Sequence, residues 1–276
     1  MTATLAALVR QAAERLRERL GPEQNALLDA EVIARHVLGW DRAQWIAGSR
    51  AAPPPDFAAA FEAAMTRRAR GEPVAYITGT REFWGLDFEV TPDVLIPRPE
   101  TELLVEQALK VVGGGVVADV GTGSGCIAVA IAHSRPFVHV IATDVSPAAL
   151  GVARRNAARH GVAVRIEFVH TAALDGVGDV DLVVSNPPYI AADDSTVSPD
   201  VREHEPHTAL FSGDDGLDMI RALLADVARR DPVPPCIFEF GGSEAAVREA
   251  VGASGLRLTQ VIPDLAGVPR IAVVER

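Results

Sequence analysis

Two short segments of this chain set polar and conformationally special residues at spacings that suit chemistry. The first is Ala118-Asp119-Val120-Gly121-Thr122-Gly123-Ser124-Gly125, which closes an apolar run and opens a helical segment, Cys126–Ala132. Glycine lets a chain turn sharply and lets its backbone approach a ligand with no Cβ in the way. The N–H groups at the start of the following helix can then face an electronegative group. Asp144 stands nineteen residues beyond Gly125, at the end of the next apolar run, where an acid commonly accepts hydrogen bonds from ribose hydroxyls. The second segment is Asn186-Pro187-Pro188-Tyr189, directly after the apolar Leu182–Ser185. An amide nitrogen is a weak nucleophile because its lone pair is delocalised. Two acceptors aimed at its N–H bonds, the Asn186 side-chain oxygen and the Pro187 carbonyl, would raise its electron density and fix its orientation. The prolines restrict the backbone that aims them, and Tyr189 can lie against a planar group and exclude water.

Such groups need a scaffold that delivers them to one place. Strands are expected at Val116–Val120, Val138–Ala142, Arg165–Val169, Leu182–Ser185, Cys236–Phe240, Leu256–Ile262 and Arg270–Val274, with helical patterns between most of them. Near-continuous apolar strands alternating with helices imply an α/β fold with a mostly parallel sheet covered on both faces. Ligands in such folds bind at the C-terminal ends of the strands. Before Gly71 the chain reads as helices only. Leu5, Leu8, Val9, Ala12, Leu16 and Leu20 recur at helical spacing and Gly21-Pro22 stops the run; further helices are expected at Leu27–Leu38 and Phe57–Arg70. That suggests a small bundle over residues 1–71. Val74–Val90, rich in β-branched and aromatic residues and punctuated by Gly79 and Gly85, suggests a hairpin within a linker of residues 72–98. A helix over Thr101–Val111, entered through Pro97-Arg98-Pro99, then opens the α/β domain of residues 99–276.

The dinucleotide fingerprint requires a third glycine where Cys126 stands. The G-x-G-x-G spacing instead resembles the first motif of S-adenosylmethionine methyltransferases. Asn186–Tyr189 resembles the fourth motif of those that methylate amino groups conjugated to a π-system. The likeness extends over nearly the whole chain. It includes Leu28-Asp29-Ala30-Glu31, Pro73–Gly79 with Glu82-Phe83-Trp84-Gly85-Leu86, and Val94–Glu102. It continues through Glu205-Pro206, Ala209-Leu210, Asp215-Gly216-Leu217, Glu239 with Gly241, and Asp264-Leu265-Ala266-Gly267 with Arg270. The chain resembles the PrmC (HemK) family of peptide-chain release factor glutamine methyltransferases. That resemblance implies a class I methyltransferase domain, Rossmann-like, behind a helical domain that contacts the release factor. It implies S-adenosyl-L-methionine held by Gly121, Thr122, Gly123, Ser124, Gly125, Asp144 and Asn186, with S-adenosyl-L-homocysteine as product and no metal. It also implies a catalytic Asn186, Pro187 and Tyr189, and a glutamine side chain bound by Asn186, Pro187, Pro188 and Tyr189. That glutamine is the one in the Gly-Gly-Gln tip of class 1 release factors, which would be methylated on N5. One departure stands after the third strand. The family usually carries an acid and a large apolar residue near the adenine, and here the residues are His170-Thr171-Ala172-Ala173.

Composition narrows the alternatives. Hydrophobic residues make up 48% and charged residues 23%, as in a globular chain rather than a disordered one. No apolar run reaches the roughly 20 residues that a spanning helix needs. Met1–Leu20 carries charges throughout, unlike a secretory signal. A cytoplasmic enzyme is expected, a monomer by default, with Cys126 and Cys236 as buried thiols. The net charge of −11 opposes direct binding to a phosphate backbone. Residues 1–70 hold ten arginines against eight acids, so the excess of acid lies in the remainder. That weighs against N6-adenine DNA methylation, the alternative that shares the Asn-Pro-Pro-Tyr chemistry and needs a basic recognition surface. A third possibility, a module that holds the cofactor without turnover, leaves the intact tetrapeptide without a purpose. Glu203, His204, Glu205 and His207 read as a solvated loop over the cleft rather than a metal site. Arg98 either steers a substrate or pairs with Glu100 or Glu102. Arg15, Arg17 and Arg19 read as a solvated helix face.

Overall fold

The structure, a computed structural model, describes residues 4–21 and 25–276; Met1–Ala3 and the expected stop at Pro22 lie outside the described residues. The chain forms two compact units, Met1–Gly79 with Ser198–His204, and Thr80–Val197 with Glu205–Arg276.

The first unit is helical. Helix α1 (Leu5–Leu20) starts where the Thr4 hydroxyl accepts from Ala7 N, and it buries Leu5, Val9, Ala12 and Leu16, the stripe that its spacing predicts. Helix α2 (Ala26–Leu38) is capped by Asn25 and ends at Gly39 in the left-handed region. Helix α3 (Arg42–Gly48) opens with a reciprocal capping box between Asp41 and Gln44. Helix α4 (Phe57–Arg68) is followed by a short helix α5 (Val74–Thr78). The core gathers Leu5, Leu16, Ile33, Trp45, Phe61 and Ile77. Arg68, buried among them, donates to Asp29 at 2.8 Å and to Asp200 at 3.1 Å. Arg15, Arg17 and Arg19 are exposed, with Arg15 paired to Glu62.

The β-rich run divides differently from its expected reading. Val74–Thr78 is helical, because Tyr76 and Ile77 bury as neighbours on one turn and Gly79, at φ 71°, ends it. Only β1 (Thr80–Phe83) and β2 (Leu86–Glu89) form the antiparallel hairpin, and both belong to the second unit.

The rest of that unit runs α6 (Glu102–Val111), β3 (Gly115–Val120), α7 (Cys126–Ser134), β4 (Val138–Asp144), α8 (Pro147–Arg159), β5 (Ile166–His170) and β6 (Leu182–Ser185). After α9 (Pro199–His204), which packs in the first unit, come α10 (His207–Leu210), α11 (Asp218–Ala228), β7 (Cys236–Glu239), α12 (Glu244–Ala253), β8 (Arg257–Pro263) and β9 (Pro269–Glu275). The seven strands are ordered β5-β4-β3-β6-β7-β9-β8. Pairings are parallel from β5 to β7, while β9 is antiparallel to both β7 and β8.

Side chains alternate across the strands. Val117, Leu182, Val184, Ile237 and Ile271 face one apolar layer with α6, α7 and the hairpin phenylalanines Phe83 and Phe88. Ala118, Val120, Val183, Phe238 and Ala272 face the other, against α11 and α12. A sheet dry on both sides leaves only its ends for polar work. Strands β3 and β6 are neighbours at its centre, so the glycine loop and the Asn-Pro-Pro-Tyr segment leave the same edge side by side.

Candidate active site

One cleft, open to solvent at its mouth, takes its lining from both segments, although Gly125, Pro187 and Tyr189 are not part of that lining. Gly121, Thr122, Gly123, Ser124, Asp144, Asn186 and Pro188 line it. Pro187 is buried behind them. Gly125 lies beneath the loop at φ 79°, where a Cβ would sit 2.9 Å from the Ala153 Cβ, so close packing of α8 demands glycine there.

The loop uses most of its own donors. Gly121 and Thr122 donate to the Thr143 carbonyl, each at 2.9 Å, and Gly125 donates to Thr122 O at 2.8 Å. Gly123 N donates to Asp144 Oδ2 at 2.9 Å, and Ser146 N to Asp144 Oδ1 at the same distance. The glycine cradle is therefore rigid before any ligand arrives. Of the N–H groups at the start of α7 that were expected to face a ligand, Ala128 N donates to Asp119 instead. A carboxylate offers about four lone-pair sites, and two of those on Asp144 remain for a diol. Added Cβ atoms at Gly121 and Gly123 would meet nothing within 4 Å, so the cradle's inner face is open space.

Asp119 sits under this loop, wholly buried. Its Oδ2 accepts from the Thr122 hydroxyl at 2.6 Å and from Ala128 N at 3.1 Å, while its Oδ1 has no protein partner. Burial raises its pKa to about 7, against the lowering effect of those two bonds. An open cradle and an acceptor-rich Asp144 suit a ligand carrying a ribose diol. They fit S-adenosylmethionine.

Past β5, His170 is exposed, with its Nε2 at 3.0 Å from the Val145 carbonyl, and has no place in the cleft wall. Thr171 and Ala173 do line the cleft, and Thr171 N donates to Asp144 O at 3.1 Å. Backbone and small side chains thus occupy the place where the family usually carries an acid and a large apolar residue.

At the other segment, Asn186 Nδ2 donates to Thr101 Oγ1 at 3.0 Å. The Thr101 hydroxyl donates to Glu239 Oε2 at 2.7 Å, and the Tyr189 hydroxyl donates to Glu239 Oε1 at 3.1 Å. Thr101 and Glu239 are both 1% exposed. Burial pushes the Glu239 carboxyl up, with the Thr101 and Tyr189 hydroxyls and Arg270 opposing. Burial and Glu239 together raise the Tyr189 phenol, so it remains a donor. Gly241 leaves room for the Tyr189 ring, since a Cβ there would lie 2.8 Å from the ring carbons.

Arg98 lines the cleft, but its partner is neither Glu100 nor Glu102. It meets the buried Glu205 at 2.6 Å, and Ile96 N donates to the same carboxylate at 3.2 Å. This ties down Pro206, Thr208 and Ala209, which close one wall. Glu205 is thus a buried anchor rather than part of a solvated loop. Among the described residues, no group of three His, Cys, Asp or Glu side chains could hold a metal ion. Cys126 and Cys236 are free and buried, and burial pushes each thiol up to about 12. Thr101, Asp119, Glu205 and Glu239 were absent from the expected site, although Asp119 stands in the glycine-rich segment and the other three fall within the family-like segments.

Comparison with known proteins fits this arrangement. Residues 7–79 match the PrmC N-terminal domain family and residues 99–202 the methyltransferase small domain family. The release factor glutamine methyltransferase of Cereibacter sphaeroides is 46% identical over 89% of this chain and 90% of its own. That of Nitratidesulfovibrio vulgaris is 41% identical over 99% and 96%. The chain belongs to the release factor glutamine methyltransferase family. Its family fold is shared by more distant structures. A methyltransferase from Pyrococcus furiosus aligns with TM-score 0.52 at 18% identity, covering 77% of this chain and 97% of that one. The hMettl16 catalytic domain aligns with TM-score 0.57 at 17% identity, covering 76% and 79%. Among the described residues, no helix is long and apolar enough to cross a membrane.

Proposed function

We propose that this protein methylates the side-chain amide nitrogen of the glutamine in the Gly-Gly-Gln tip of class 1 release factors, acting in the cytoplasm as a monomer. The observation that carries the reading is the Asn186 amide, fixed through its nitrogen beside a glycine cradle that fits S-adenosylmethionine. When bound, that cofactor supplies an electrophilic methyl on a sulfonium and leaves as the neutral S-adenosylhomocysteine. Gly121–Gly125 and Asp144 orient it, with Asp144 accepting from the ribose. Asn186 Oδ1, which accepts from no described protein group, takes one N–H of the glutamine amide and the Pro187 carbonyl takes the other. Pro188 and Tyr189 bound the planar group and exclude water. Positioning of this kind can supply about 7–11 kcal/mol of the barrier. Positive charge developing on the amide nitrogen is met by both oxygens, and the amide proton leaves to solvent after transfer. The helical unit, residues 1–71 with the linker of 72–98, would recognise the body of the release factor.

The test is transfer of labelled methyl to a purified release factor, its Gln→Ala tip variant and duplex DNA. Label on the intact release factor alone is expected; label on DNA alone would replace this reading with N6-adenine methylation. Asn186→Ala should keep cofactor affinity while lowering turnover by about a hundredfold or more, as loss of an oriented partner does elsewhere. Turnover like that of wild type would refute the role given to Asn186.

A further inference from the structure

Asn186 can face its substrate with either end of its side-chain amide, and only one end serves. An oxygen in the cleft accepts the N–H of a glutamine amide; an NH2 group there would oppose it. Proline geometry fixes the backbone of the segment, not the rotation of that terminal amide, which is a soft two-fold torsion. Something else must choose.

Thr101, the last residue of the short 3-10 turn Pro99–Thr101 that leads into α6, makes that choice through Glu239 at the end of β7. A threonine hydroxyl has one proton to give and lone pairs to accept with. Both Glu239 oxygens stand as acceptors, Oε2 of the Thr101 hydroxyl and Oε1 of the Tyr189 hydroxyl. With Glu239 Oε2 at 2.7 Å, the Thr101 proton is committed to the carboxylate, so Thr101 Oγ1 meets Asn186 as an acceptor. Asn186 must then present Nδ2 to Thr101, and its Oδ1 is left to the cleft. The other carboxylate oxygen, Oε1, takes the Tyr189 hydroxyl, so the same anchor holds both polar side chains of the tetrapeptide. Thr101 and Glu239 are each 1% exposed, and water cannot substitute for either bond.

We infer that Thr101 and Glu239 are positioning residues that set the polarity of the substrate-facing amide of Asn186. The inference rests on the amide-methylation reading above and names what makes the site select a donor nitrogen. The buried carboxylate acts at two hydrogen bonds' remove. It directs one proton and thereby turns the amide.

Thr101→Val keeps the shape and removes both bonds, whereas Thr101→Ser restores the hydroxyl. Methyl transfer to a purified release factor should show Thr101→Val lowered in kcat by about thirtyfold or more, with KM and the cofactor Kd within about threefold of wild type. Thr101→Ser should return to within about threefold of the wild-type kcat, and Glu239→Leu, which leaves the Thr101 hydroxyl no acceptor there, should fall with Thr101→Val. A Thr101→Val kcat close to wild type, or a serine variant no better than the valine one, would overturn the relay. A wild-type protein that labels no release factor would instead remove the functional reading. The relay then still has its own readout, the solvent exchange of the Asn186 side-chain NH2 protons by nitrogen-15 NMR, assigned with Asn186→Ala. Exchange slowed about tenfold in wild type and in Thr101→Ser, but not in Thr101→Val, is the expected result, because a buried acceptor protects them. Equal exchange in all three would overturn it.

Discussion

Arg98→Met should destabilise the protein far more than loss of a surface ion pair would, and the reason is the burial of its partner. The side chain of Glu205 is 1% exposed, while that of Arg98 is 31% exposed. The substitution keeps most of the aliphatic stem and removes the cation. Glu205 is left buried with only Ile96 N at 3.2 Å to stabilise its charge. Removing one partner of a fully buried pair costs about 3–5 kcal/mol. Water reaches the arginine side, and the Ile96 bond persists, so about 2–3 kcal/mol is the sum expected here. For a chain of this size, that corresponds to a fall in Tm of about 5–10 °C, read by circular dichroism. Pro206, Thr208 and Ala209 follow Glu205 into the cleft wall, so cofactor affinity should weaken several-fold in parallel.

The decisive control is the double variant with Glu205→Gln. Neutralising the carboxylate removes the uncompensated charge, so the double variant should be more stable than the two single losses added together, by about 1–2 kcal/mol of coupling. A fall in Tm below about 2 °C for Arg98→Met, or strict additivity in the double variant, would refute the idea that this pair secures the loop.

Two further outcomes follow from the cofactor side. Asp144→Ala removes the acceptors of Gly123 N and Ser146 N together with those offered to a ribose, and the cofactor Kd should rise about ten- to a hundredfold by calorimetry; an unchanged Kd would sink the ribose assignment. Asp119 titrates near 7 when folded, above its ordinary carboxylate value. Between about pH 4 and 7 the folded state then holds a proton that the unfolded state has lost, so this group's contribution to stability falls as pH rises and is fully lost above 7. The Tm of Asp119→Asn relative to wild type should therefore shift in the variant's favour by several degrees from pH 5 to pH 8, and a constant difference would contradict the buried, unpaired oxygen.

Legibility in the sequence followed the range of the interactions. Helix α1 was readable from its apolar stripe, and the strands of the sheet from their uninterrupted apolar runs, because burial on both faces writes itself into local composition. The glycine loop and Asn186–Tyr189 were readable because each is a local backbone device. Helix α3 was overlooked although Asp41 and Gln44 carry its capping signature. Helix α5 was misread because Val74, Tyr76, Ile77 and Thr78 favour strands, and only their burial against the helical core overrides that preference. Strand order was not readable at all, since nothing local brings β6 next to β3. The anchors of the site are also long-range. Thr101 meets Glu239 across 138 residues and Arg98 meets Glu205 across 107, and no spacing rule links such pairs.

Those anchors share a physical logic. Loops leaving the C-terminal edge of a sheet lose the strand ladder that satisfied their backbone, so they need other partners to hold one shape. Here a buried carboxylate lies under each piece of the site. Asp119 sits beneath the glycine loop, Glu205 behind the wall carrying Thr208, and Glu239 behind Asn186 and Tyr189. Each accepts two hydrogen bonds: Asp119 from Thr122 and Ala128, Glu205 from Ile96 and Arg98, and Glu239 from Thr101 and Tyr189. Glu239 draws the Thr101 hydroxyl inward and so leaves Asn186 to present its oxygen to the cleft, which the acceptor Asp144 also lines. A cleft of acceptors suits a cationic sulfonium and an amide nitrogen that gains positive charge during transfer. Desolvating three carboxylates costs stability, and a fold selected for stability alone would replace them with apolar side chains. Their presence around this one cleft is what a site built to hold rigid acceptors requires.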